Sequence, residues 1–231
     1  MDKPAATRVL TTLDELLRPG GCALLVVDVQ RDFVHPHGWS ARRLPGATSL
    51  RHVIPVINAL VAAARAAAVP VCYVTMEHGR EVDAPNYQAR YVARGMDEEI
   101  LCAAGGWGAA LDDELTPPRP GDIRIVRHSY DGFAGTDLDA LLRARKVDVV
   151  VAAGVVTNLC VQTTVQHAFA LGYYVIVVED GTAAADPDVQ AMTLDNFRRY
   201  FGLVVPAGVV AEHWTEIGRV AAPPSPKESV E

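Results

Sequence analysis

Apolar runs of strand length alternate along this chain with stretches of helical spacing, and that alternation limits the fold more than any other feature. The runs occupy residues 22–28, 71–76, 122–126, 149–153, 173–178 and 203–205. Between them, residues 49–68, 137–145 and 187–200 carry apolar side chains at the three- and four-residue intervals of a helix face, with Val53, Ile57, Leu60, Val61 and Ala64 marking the first. Runs as uniformly apolar as 22–27 suit central parallel strands covered on both faces. Strands joined through helices imply right-handed crossovers. The expected fold is therefore α/β: a three-layer αβα arrangement around a mostly parallel sheet of five or six strands.

At 231 residues the chain has the length of one sizeable domain. We place it at 21–215, after an arm (1–20) with a short helix at 12–17 and before a flexible tail (216–231) that ends in a Pro-, Ser- and charge-rich segment. A net charge of −7 disfavours nucleic acid as a partner and gives no support to binding at an anionic membrane. No run approaches the roughly 18 apolar residues of a membrane span, and the first residues lack the apolar core of a signal peptide. A cytoplasmic protein is expected. Cys22, Cys72, Cys102 and Cys160 are widely spaced with no C-x-x-C pair, against both a zinc ribbon and a disulfide framework.

Ligands of open α/β sheets gather beyond the carboxyl ends of strands. Three chemically active residues fall there: Asp28, Arg127 and Cys160. Cys160 follows the strand-turn unit 149–158 and stands in the first turn of a helix continued by Val161, Val165, Ala168 and Phe169. Free backbone N–H groups and the helix dipole favour an anion at that place, so the thiol is expected to tend towards thiolate. The alternative, a small buried hydrophobe, stays open on these residues alone. Likewise Asp28 is either a site carboxylate or a cap on the next turn.

Four segments in order carry a family resemblance. They are Val26-Val-Asp28-Val-Gln-Arg-Asp-Phe33, Tyr130-Asp-Gly-Phe133-Ala-Gly-Thr136-Asp-Leu138, Gly154-Val-Val-Thr157-Asn-Leu-Cys160-Val-Gln-Thr-Thr164, and Val178-Glu-Asp180-Gly-Thr-Ala. Together they resemble the isochorismatase-like cysteine hydrolases, and within them the biuret, ureidoacrylate and N-carbamoylsarcosine amidohydrolases. The resemblance implies a hydrolase acting on non-peptide C–N bonds of a small ureido, carbamoyl or carboxamide compound through a thioester. Cys160 is then the nucleophile and Asp28 the base. The backbone N–H groups of Val156 and Cys160 form the oxyanion hole, with a cis peptide at Val155–Val156. No cofactor is implied, and the expected assembly is a homo-oligomer, a dimer or tetramer.

One departure matters. Where the family carries a catalytic lysine, three residues before Tyr130, this chain has Arg127, and its lysines (Lys3, Lys146, Lys227) lie elsewhere. Arginine keeps the charge but does not readily release a proton. A weakly active or inactive relative that binds a small ligand or serves as an assembly subunit is the alternative reading. The metal-binding pattern of the nicotinamidase branch is reduced to His78, so no metal is expected. Phe33, Tyr130, Phe133, Asn158 and Gln162 are the candidate substrate contacts. The long connection 77–121, with helical fragments at 86–94 and 98–103, offers Arg90, Tyr91 and Trp107 as lid contacts, surface residues or a subunit interface.

Overall fold

The structure, a computed structural model, describes residues 9–18, 20–95 and 99–221. Its elements run α1 (Leu13–Leu16), β1 (Cys22–Val27), α2 (Arg31–Val34), α3 (Trp39–Arg43), α4 (Val53–Ala66), β2 (Val71–Met76), α5 (Pro85–Val92), β3 (Ile123–Arg127), α6 (Leu138–Ala144), β4 (Val149–Val155), α7 (Gln162–Ala170), β5 (Tyr174–Ala183), α8 (Pro187–Tyr200), β6 (Gly202–Val205) and α9 (Ala207–Ala221). A π-helical turn, Thr157–Val161, joins β4 to α7. The strands form one parallel sheet in the order β3-β2-β1-β4-β5-β6.

Burial follows from that order. Every residue of β1 and β4 is buried, as their content, Val, Ala and Leu with Cys22 and Gly154, suits central strands. Edge strand β3 alternates buried and exposed residues instead. Helices α4 and α9 pack on each other and on the sheet, and the right-handed crossover rule places α6, α7 and α8 on the opposite face. The order runs outwards in one direction from β1 and in the other from β4. Between those two strands lies the reversal point, where open α/β sheets leave a crevice for ligands.

Several boundaries differ from the sequence expectation. β1 stops at Val27, because Asp28 turns to φ 52°. β4 continues through Gly154, which adopts φ 127°; a Cβ there would lie 2.0 Å from the Val27 carbonyl oxygen. Only glycine lets β4 approach β1 so closely at this point. The helix expected over 49–68 begins as a 3-10 segment, Ala47–His52, before α4. No helix forms over 99–103, where the chain makes a turn and an isolated bridge between His78 and Ala103; Glu98 lies outside the described residues. Thr136 precedes the cap of α6 rather than being it. Its hydroxyl still accepts from the Leu138 N–H at 3.3 Å.

At the ends, α1 closes a capping box between Thr12 and Glu15 and buries Leu16 and Leu17 in the main core, so this part of the arm is packed. Helix α9 crosses residue 216, where a flexible tail was expected to begin. It buries Ala207, Val210 and Trp214 along one face. Residues 1–8 of the arm and 222–231 of the tail lie outside the described residues. No described helix is long and apolar enough to cross a membrane.

Candidate active site

The three strand-end residues meet. Asp28 follows β1, Arg127 ends β3, and Cys160 occupies the π-helical turn after β4; all three are buried. Register places Arg127 beside Met76 at the end of β2, so its side chain must pass the end of that strand to reach Asp28. Its Nη2 donates to Asp28 Oδ2 at 2.5 Å, and its Nη1 donates to the Ser129 carbonyl. Asp28 Oδ1 has no hydrogen-bond donor, and the Cys160 thiol is close enough to interact with this carboxylate. The peptide Val155–Val156, directly before the turn, is cis.

Electrostatics revise one expectation. Burial pushes the Cys160 thiol well above its ordinary value. The nearby Asp28 carboxylate adds to that rise, and Arg127 opposes both. Desolvation at the carboxyl ends of the central strands thus works against the thiolate that the turn dipole favours. Burial also raises the Asp28 carboxyl, with Arg127 acting in the opposite direction. A neutral thiol beside a base of raised pKa is suited to passing its proton during attack rather than before it.

Cys160 and Val156 line a cavity of about 240 Å³. Phe33 walls it from α2 and Trp39 from α3, Tyr87, Arg90, Tyr91 and Arg94 from α5 and its end, and Tyr130 from the segment after β3. The long connection thus supplies one wall. Of the candidate substrate contacts, Phe33 and Tyr130 reach the cavity. Phe133 does not: it is buried against His167 and Tyr173, with ring centroids 5.6 and 5.9 Å away. Asn158 and Gln162 are half-buried and outside the lining, because their positions turn away from it. Arg90 and Tyr91 line the cavity, whereas Trp107 is 48% exposed and packs on His35.

Two residues of the first motif act in ways their positions alone did not announce. Gln30 is fully buried; its amide nitrogen donates to the Met76 and Ala109 carbonyls at 2.7 Å, and its amide oxygen accepts from the Met76 N–H at 2.8 Å. Asp32 accepts from the Trp39 N–H at 3.1 Å and the Cys102 N–H at 2.7 Å. Gly108 lies so close that a Cβ would come within 2.1 Å of that carboxylate. These bonds tie α2 and α3, the end of β2 and the long connection together. Gln30 lies two residues after Asp28, and that strand-end polar cluster was the available signal.

The other motifs also serve the scaffold. Asp131 accepts from the Phe133 N–H and pairs with His167 at 2.5 Å. Thr164 accepts from the Gly132 N–H at 2.9 Å, joining this loop to α7. Asp180 accepts from the Ala207 N–H at the start of α9. His78 is buried, stacked on Tyr87 at 4.4 Å and bonded to Asp83 at 2.6 Å. Among the described residues no three His, Cys, Asp or Glu side chains gather as a metal site.

Comparison with known proteins agrees with this fold. The isochorismatase domain matches residues 22–208. Ureidoacrylate amidohydrolase RutB of Pseudomonas syringae pv. syringae (strain B728a) is 36% identical over 202 residues, 81% of each chain. The protein of that name from Methylobacterium radiotolerans is 36% identical over 229 residues, 88% of each chain. The cysteine hydrolase from Pseudomonas syringae pv. phaseolicola 1448A superposes with a TM-score of 0.76 at 29% identity, covering 94% of this chain and all of that one (100%). N-carbamoylsarcosine amidase from Thermoplasma acidophilum gives 0.65 at 30% identity, over 81% of this chain and 96% of that one. The chain belongs to the isochorismatase family, within the group of hydrolases acting on C–N bonds that includes the ureidoacrylate amidohydrolases and N-carbamoylsarcosine amidase.

Proposed function

We propose that this protein is a cysteine amidohydrolase that cleaves a C–N bond of a small ureido, carbamoyl or carboxamide compound through a thioester on Cys160. The observation that carries the reading is the meeting of Cys160 with Asp28, whose Oδ1 is buried and undonated while Oδ2 is held by Arg127. Cys160 Sγ attacks the carbonyl carbon as its proton passes to Asp28. The resulting oxyanion is received by the N–H groups of Val156 and Cys160; loss of one such donor typically costs about 2.7–4 kcal/mol. Collapse breaks the C–N bond, and Asp28 returns the proton to the leaving nitrogen, releasing ammonia or an amine. Water, deprotonated by Asp28, then attacks the thioester and restores the thiol.

Arg127 fixes the orientation of Asp28 and balances its charge, but it is a poor proton donor. Proton transfer in both halves of the reaction therefore rests on Asp28. The same arginine favours a second reading, in which the base is locked in an ion pair and the protein binds a small ligand without turnover. Ammonia release from biuret, ureidoacrylate, N-carbamoyl amino acids and nicotinamide separates the two. Release from a ureido or carbamoyl compound by the native protein, lost in Cys160→Ala and Asp28→Ala, supports the enzyme. No release across the panel, with binding retained, supports the second reading.

A further inference from the structure

Cys160 and the carbonyl that holds Arg127 sit on two segments, and a side-chain pair outside the cavity joins them. The π-helical turn that carries Cys160 leads straight into α7, where Thr164 and His167, three residues apart, share a face. Against that face lies the loop after β3. Its Ser129 carbonyl accepts from Arg127 Nη1. Its next N–H groups donate to side chains: Asp131 to Ser129 at 3.4 Å, Gly132 to Thr164 at 2.9 Å and Phe133 to Asp131 at 2.9 Å. A Cβ on Gly132 would meet Thr164 Cγ2 at 3.0 Å, so loop and helix are in close contact. Asp131 gives one carboxylate oxygen to the Phe133 N–H and the other to His167 Nδ1, 2.5 Å away. A carboxylate only accepts, so Nδ1 carries the proton. His167 is not among the residues lining the cavity; its side chain is 36% exposed and that of Asp131 15%. A pair so placed adds little to overall stability. Its local effect is larger, because it sets where Ser129 stands relative to the turn of Cys160.

We propose that His167 is a positioning residue: through Asp131 it holds the Ser129 carbonyl in place and so keeps Arg127 aimed at Asp28. It touches neither the cavity nor the reacting atoms. Arg127 has Nη1 on the Ser129 carbonyl and Nη2 on Asp28 Oδ2, at 2.5 Å for the latter. The guanidinium is planar, so a shift of the carbonyl turns the whole fork and takes Nη2 off its line to Asp28. A misplacement of 1 Å at reacting groups costs about a hundredfold in rate. Gly132 to Thr164 fastens the loop at one point, and Asp131 to His167 adds a second, which fixes its rotation on α7. The effect on rate rests on the amidohydrolase reading. The hold on the loop stands on the bonds themselves.

Two replacements at this position separate the bond from the packing. His167→Phe keeps a ring beside Phe133, whose centroid lies 5.6 Å from that of His167, but has no N–H. His167→Asn keeps an N–H near the place of Nδ1 and loses the ring. Amide hydrogen exchange over residues 129–133, read by mass spectrometry, needs no substrate. It should be about tenfold faster or more in His167→Phe and close to native in His167→Asn. With the ureido compound that the native protein hydrolyses best, kcat should fall about tenfold or more in His167→Phe, while KM changes less than about threefold. His167→Asn should recover most of that loss. In an Arg127→Lys background, which already lacks the fork, His167→Phe should cost less than about threefold. Thermal unfolding of each variant checks that the fold survives. Native exchange rates in His167→Phe, an unchanged kcat, equal losses in the two variants, or losses that multiply with Arg127→Lys overturn the proposal. Faster loop exchange in His167→Phe, without turnover by the native protein, keeps the hold on the loop and rejects the amidohydrolase reading. Turnover that ignores His167 does the reverse.

Discussion

Arg127 and Asp28 meet at 2.5 Å with both side chains withdrawn from solvent, joining the end of β3 to the end of β1 across β2. Each charge is tolerable there because the other is present. Removing one partner of a buried pair typically costs about 3–5 kcal/mol, while replacing both by apolar groups costs far less. Asp28→Leu and Arg127→Met should each lower stability in urea unfolding by roughly that amount. The double variant Asp28→Leu/Arg127→Met should fall short of the sum by more than about 1 kcal/mol. Additive losses would mean that the two groups do not depend on each other.

Arg127 divides its two terminal nitrogens between Asp28 and the Ser129 carbonyl. A lysine ammonium is a single point on a shorter reach and cannot keep that fork. In Arg127→Lys, kcat for the best substrate should fall by about tenfold or more, with the unfolding midpoint changed much less than in Arg127→Met. A rise in kcat would identify arginine as a degenerate replacement that leaves the native protein a weak catalyst.

Burial holds the Cys160 thiol above the ordinary range, and the thiolate is the species that iodoacetamide alkylates. Its alkylation rate, followed by peptide mass mapping, should still be climbing at about pH 9–10, where a free thiol of pKa about 8.5 has begun to level off. Cys22 and Cys72, pushed by burial to about 11 and about 12, should compete little at neutrality. A plateau below pH 8 at Cys160 would show a resting thiolate instead.

Burial lowers the pKa of His78 below its ordinary 6.5, with the Asp83 pair opposing that shift. The unfolded chain therefore takes up a proton first as pH falls. Stability from this group is complete above 6.5 and is lost as pH drops from there through the folded value. The melting temperature of the native protein should fall more steeply below about pH 6.5 than that of His78→Gln. Parallel profiles would remove His78 from the account.

Gly154 stands at a close backbone approach between β4 and β1. At φ 127° with Val27 oxygen 2.0 Å from a would-be Cβ, Gly154→Ala should cost about 3 kcal/mol or more. Gly172 also has positive φ, 92°, but nothing stands within 4 Å of its Cβ position, so Gly172→Ala should cost roughly 1–2 kcal/mol. Similar unfolding midpoints for the two variants would contradict this packing.

Much of this was readable from residue patterns, and the exceptions have physical causes. β2 and α8 match their expected limits because Pro70, Met76 and Pro187 stand at sharp changes of pattern. Asp28, Arg127 and Cys160 were legible because strand carboxyl ends of a parallel sheet converge whatever the loops do. Phe133 was not, since whether a loop aromatic faces the cavity or α7 depends on the Asp131–His167 and Gly132–Thr164 bonds. The expected thiolate tendency is opposed by burial, because dipole position is visible in a sequence while desolvation depends on the finished packing. Helix α9 had its signal in the spacing of Ala207, Val210, Trp214 and Ile217, which extends past the expected boundary. Gln30 and Asp32 bond to backbone groups tens of residues away, a relation no local pattern encodes.

The central claim is that Cys160 carries the acyl group of the substrate. Acid-quenching the native enzyme during turnover of a ureido substrate, followed by intact mass and peptide mapping, tests it directly. The account predicts a mass increase equal to the acyl fragment on the peptide bearing Cys160, absent in Cys160→Ala, which should also lose ammonia release. An unmodified Cys160 peptide during turnover, together with full ammonia release by Cys160→Ala, would contradict it.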